Sequence, residues 1–134
     1  MKKIFLVLVA FVAMFAFTSC NNDTVESQIF DLSYDKGDLG DGDAALYETT
    51  YLPIFMAEIG KVAQPATGSG RTFMVNATEK KAKADVKVAF DKAADEAQKR
   101  NDQSDIKLTG LKVILEHSTV SNQDKKEFAT YTFK

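Results

Sequence analysis

The sequence predicts an α+β domain in which two helices pack on one face of a small, mainly antiparallel sheet of about four strands, in the order β-α-β-α-β-β. Three observations predict it. Phe30, Leu32 and Tyr34 alternate with Asp31 and Ser33, the period of a half-buried strand. Ala82, Val86, Ala89, Phe90, Ala93 and Ala97 recur at the period of a helix. Turn-rich stretches at 35–43 (DKGDLGDGD) and 64–70 (QPATGSG) separate the periodic segments.

In chain order, residues 28–34 (QIFDLSY) form the first strand. The 35–43 loop carries four aspartates and three glycines, which favour turns over regular structure. Residues 44–63 then place Leu46, Tyr47, Tyr51, Leu52, Phe55, Ile59 and Val62 near one helical stripe, with Asp43 as N-cap. Pro53 interrupts this stripe, because proline lacks an N–H and clashes with the preceding turn, so a kink or a fresh helix start is expected there. After the 64–70 loop, residues 72–75 (TFMV) read as a short buried strand. Thr78 caps the longest helix, 79–100, whose Glu79–Lys83, Asp95–Lys99 and Glu96–Arg100 pairs stand in the favourable i,i+4 order. Residues 106–117 read as a strand whose inward parity switches at Gly110, the mark of a bulge. Residues 127–134 (EFATYTFK), with Tyr131 and Phe133 on one face, return as its hairpin partner.

The chain begins MKKIFLVLVAFVAMFAFTSCNND. Lys2 and Lys3 precede an apolar run of 14 residues, 4–17, that ends in Thr18, Ser19 and the single cysteine, Cys20. Charged, apolar and small residues in that order specify export. The run is short for a membrane span, which needs roughly 20 residues. The stretch Phe17-Thr18-Ser19-Cys20 resembles the lipobox of bacterial lipoproteins, with Phe17 where leucine is usual, and the Asn-Asn-Asp that follows is similar in style to lipoproteins of the Bacteroidota. The resemblance covers only about the first 20 residues, and it implies a diacylglyceryl thioether on Cys20 and cleavage just before it. The expected organisation is a signal peptide at 1–19, lipidated cysteine and flexible tether at 20–27, and one domain at 28–134. The expected location is the cell envelope, at the outer membrane of a Gram-negative bacterium.

With Cys20 acylated, the 114 residues after it contain no thiol, which excludes a disulfide, a cysteine-containing zinc site and a cysteine nucleophile. Without the signal lysines, 15 basic side chains face 19 acidic ones. That excess of negative charge argues against nucleic acid as a partner and supplies no polybasic lipid-binding patch. Six phenylalanines and four tyrosines remain after the signal, but no tryptophan.

Two constellations carry potential chemistry. Asp35, Asp38, Asp41 and Asp43 offer hard oxygen ligands for calcium on a glycine-rich backbone, but their spacing does not fit an EF-hand loop. The plain alternative is a solvated acidic turn whose last aspartate caps a helix. His117, the only histidine, lies at the end of a predicted strand beside Ser118, where an exposed position at the sheet edge is expected; no nucleophile elbow accompanies it. TGSGR (67–71) lacks the lysine and spacing of a phosphate loop. No cofactor is expected apart from the possible calcium.

The leading expectation is a non-catalytic domain, held on the envelope membrane through Cys20, that binds an envelope protein or a small ligand. A hydrolase using carboxylates or His117 and a calcium-stabilised structural module are the alternatives.

Overall fold

The computed structural model describes residues 24–66 and 71–134. The predicted signal peptide, Cys20, the first part of the 20–27 tether and most of the TGSGR segment lie outside the described residues. The chain runs β1 (Val25–Asp35), α1 (Asp41–Leu46), a π-helical turn (Tyr47–Tyr51), α2 (Leu52–Ile59), β2 (Gln64–Pro65), β3 (Thr72–Thr78), α3 (Glu79–Asp102), β4 (Lys112–Thr119) and β5 (Lys126–Thr132). The fold is α+β, with every strand pairing antiparallel in one sheet of order β2-β3-β1-β4-β5.

The sheet has five strands rather than about four. The addition is β2, two exposed residues inside the predicted 64–70 loop, with Gln64 opposite Met74 and Pro65 opposite Phe73. Proline is tolerated there because an edge position needs no donor on its outer side. Strand β1 starts at Val25, three residues earlier than the alternation indicates, and β3 runs on to Thr78.

One parity of each main strand faces the helices. Gln28, Phe30 and Leu32 of β1, Phe73 of β3, Val113, Leu115 and His117 of β4 and Ala129 of β5 are buried, against Tyr47, Tyr51, Phe55 and Ile59 from the first helical arm and the alanine stripe of α3. Burying one such large apolar side chain contributes about 1.5–3 kcal/mol. The predicted α3 stripe is fully inward, and its alanines let α2 approach closely enough for Phe55 and Phe90 to meet at 5.3 Å between ring centroids. Thr78 Oγ1 accepts the Lys81 N–H at 3.2 Å, the expected cap. Glu79–Lys83 and Asp95–Lys99 pair; Glu96–Arg100 does not.

Pro53 lies in the first turn of α2, which starts at Leu52, one residue before the fresh helix start expected at the proline. The Leu52 N–H reaches back five residues to the Tyr47 carbonyl, so the widened turn falls immediately before the residue that has no N–H to give. The arm therefore continues with its aromatic face inward. Asp43 is not the N-cap; Gly40 holds that position, and Asp41 and Asp43 lie in the first turn, where the helix dipole favours carboxylates.

The strand predicted at 106–117 starts only at Lys112, and Ile106 is 60% exposed. The parity switch comes from a turn in which Gly110 adopts φ +96°, not from a bulge. The bulge is elsewhere: Leu115 pairs with Ala129 and Glu116 with Glu127, which leaves Phe128 as the extra residue of β5.

Candidate functional site

At the end of the sheet where β4 turns into β5, the first turns of α3 and the bulged strand enclose a recess of about 340 Å³. The β4–β5 register sets Lys126 opposite His117, on the inward face. The bulge turns Phe128 inward as well, where its ring lies 5.8 Å from Phe30 and 6.5 Å from His117. From the helix side, the Thr78 cap starts α3 so that Glu79 and Lys83, one turn apart, both border the recess. Their side chains pair at 2.8 Å, and the Lys83 ammonium stands 5.6 Å from the Phe128 ring centroid.

His117 is only 8% exposed, which overturns the expected position at an exposed sheet edge. Its strand parity matches Val113 and Leu115, and β4 lies between β1 and β5 rather than at an edge. The ring packs 5.1 Å from Phe30, and Nε2 lies 2.8 Å from Gln28 Oε1. Gln28, fully buried, donates through Nε2 to the Ala77 carbonyl at 3.1 Å. Two long polar side chains are thus joined to one another and to the backbone inside an apolar layer. Burial, followed by the nearby charge of Lys83, holds the imidazole pKa below its ordinary value, while Glu79 and Glu26 pull it upward. The hydrogen bond from Lys83 holds the Glu79 carboxyl below its usual range.

Among the described residues no hydrogen-bonded Ser-His-Asp array forms on this histidine: the oxygen at Nε2 belongs to an amide, and no hydrogen bond joins the ring to Ser118, which also lines the recess.

The four aspartates do not converge. Asp35 Oδ1 accepts the Gly37 N–H at 2.9 Å, closing a local turn. Asp41 Oδ1 takes a hydrogen bond from Lys36 at 2.7 Å, which lowers its pKa. Asp38 is exposed, and Asp43 sits in the first turn of α1. Among the described residues, no group of three or more His, Cys, Asp or Glu side chains could hold a metal ion.

A larger cavity of about 740 Å³ borders β2 and β3, but its one ionisable side chain, Lys61, is paired with Glu58 at 3.1 Å. The His117 recess alone brings an imidazole, three carboxylates and two ammonium groups to one place among the cavities of the described residues. Of its parts, Gln28, Lys126 and Phe128 had no functional reading from sequence. Gln28 was detectable in principle, as a polar residue sharing the inward parity of Phe30 and Leu32.

Comparison of the chain with models of protein families, with curated proteins and with solved structures finds no match in any of the three.

Proposed function

We propose that the chain is an exported lipoprotein, held on the outer membrane of a Gram-negative envelope through acylated Cys20, and that its domain is a non-catalytic binding module whose ligand site is the His117 recess. The anchor reading rests on the order of charged, apolar and small residues ending in Cys20. Acyl chains contribute about 0.8 kcal/mol per buried methylene, so two or more chains hold a small domain on a bilayer. Strand β1 begins five residue steps after Cys20, and an extended chain covers at most about 3.6 Å per residue, so the domain is tethered within roughly 20 Å of the lipid.

The observation that carries the binding role is His117 in the lining of the recess, held there by its hydrogen bond to buried Gln28. An apolar pair of similar size would fill this layer without any hydrogen-bonding requirement. The polar pair adds something the core does not need, an imidazole that lines a cavity. Among the described residues no hydrogen bond joins the ring to a hydroxyl or a carboxylate, which favours recognition over catalysis.

Replacing Cys20 by Ala tests the anchor: the domain is expected to leave the membrane fraction, or an uncleaved precursor to accumulate. Normal processing with retained anchoring refutes it. For the recess, small molecules that co-purify with the full chain from envelope extract are compared by mass spectrometry with those retained by a Lys126→Gln variant. Equal retention by both proteins refutes the recess as the binding site.

A further inference from the structure

The proton on His117 is placed by Gln28. Because Gln28 Nε2 donates to the Ala77 carbonyl, the atom facing His117 is Oε1, which only accepts. His117 Nε2 therefore carries the hydrogen, and in the neutral ring Nδ1 is an acceptor with no hydrogen-bond partner among the described residues. The second group is Lys126, directly across the strand pair, which forms no close ion pair among the described residues and acts on Glu79 only through space. Lys83 is different, since Glu79 already occupies its ammonium.

From these two groups we infer that the recess takes a small monocarboxylic acid bearing a hydroxyl or amine beside its carboxylate. The carboxylate rests on the Lys126 ammonium, the neighbouring O–H or N–H donates to His117 Nδ1, and the short carbon skeleton lies against Phe128. This deepens the reading of the recess as the ligand site and rests on it. Size agrees: about 340 Å³ is at the small end of ligand pockets, which span roughly 300–1,000 Å³. Charge agrees as well. Lys83 and Glu79 offset one another as an ion pair, which leaves Lys126 as the cation for one carboxylate, while Asp124 and Glu127, exposed like Lys126 and also in the lining, repel multiply charged anions such as phosphates.

The experiment is long-range ¹H–¹⁵N spectroscopy of the His117 ring in the purified full chain in detergent micelles, titrated with lactate and alanine, and with acetate and propionate, which lack the donor. Lactate or alanine is expected to shift the Nδ1 resonance saturably, and acetate and propionate to bind at least about tenfold more weakly, as the loss of a hydrogen bond predicts. Lys126→Gln is expected to weaken lactate or alanine binding about tenfold or more while the Nε2–H signal stays unchanged, which reports an intact Gln28–His117 pair. No saturable shift with lactate or alanine overturns the inference, as does acetate binding equally well, or an unaffected Lys126→Gln. If a co-purifying molecule of another class shifts the His117 nitrogens, the acid class falls and the recess survives as the site. If neither these acids nor any co-purifying molecule moves them, both fall.

Discussion

Gln28 Oε1 and His117 Nε2 lie 2.8 Å apart, joining two neighbouring strands across 89 positions of sequence. The bond spans the central β1–β4 pair, where Phe30 stands directly opposite His117, so it belongs to the sheet's core as much as to the recess. Its removal should therefore be readable in stability and in ligand response separately.

Acid should weaken the fold through His117. Burial and Lys83 depress its folded pKa, whereas in the unfolded chain it titrates near the ordinary value of about 6.5. As pH falls, the unfolded chain takes up the proton first, so the stability present above the ordinary histidine value is lost as pH drops through the depressed folded value. Glu79 and Glu26 face the ring and oppose the depression without cancelling it. Thermal unfolding between about pH 7.5 and 5.5 should show a falling Tm in the wild type and a flatter profile in His117→Gln. A wild-type Tm that is level or rises toward acid contradicts this account.

Cutting the pair from one side should cost more than replacing both partners. Gln28→Leu leaves the His117 Nε2–H buried without an acceptor, a loss of about 1–3 kcal/mol. His117→Phe leaves Gln28 Oε1 in the same position. The double replacement restores an all-apolar layer between Phe30 and Phe128 and should recover part of the summed loss. Urea unfolding of the four proteins gives the coupling energy, expected at about 0.5–3 kcal/mol for contacting groups. Strict additivity would show that the two side chains act independently.

Calcium should leave the domain unchanged. Asp35 and Asp41 are engaged with the Gly37 N–H and with Lys36, and Asp43 belongs to the first turn of α1, so the loop presents separate carboxylates rather than a cage. Calcium needs six to eight oxygens. A Tm unaffected by millimolar Ca²⁺ or by EDTA is the expected result, and a calcium-dependent rise would support the metal reading of this loop.

What could be read from sequence followed the reach of the signal. Helix α3 was legible because 24 residues repeat one pattern behind the Thr78 cap. Strand β2 was not, since two exposed residues, one a proline, carry no periodicity. The parity of His117 already grouped it with Val113 and Leu115, but its burial depends on β4 being flanked by β1 and β5, a long-range fact. The recess was less legible still. It needs the bulge at Phe128, which appears only when β4 and β5 are placed in register.

Gly110 marks where one sequence signal had two structural solutions. Leu108 and Leu111 are both buried, and an odd step between inward residues fits either a bulge within a strand or a turn before one. The chain takes the turn, with Gly110 at φ +96° donating its N–H to the Phe133 carbonyl at 2.8 Å, which aligns the start of β4 with the end of the chain. A Cβ at this position would meet nothing within 4 Å, so Gly110→Ala carries no steric clash with neighbours and isolates the backbone cost. That cost is about 1–2 kcal/mol for an L-residue in left-handed space. For a domain of this size it corresponds to a fall of several degrees in Tm, about 3–8 °C per kcal/mol. The recess lies at the other end of β4, so the ring signals of His117 should be unchanged in the variant. An unaltered Tm would mean that the turn relaxes to negative φ, and the Gly110–Phe133 bond, followed by hydrogen exchange of the Gly110 amide, should then be lost.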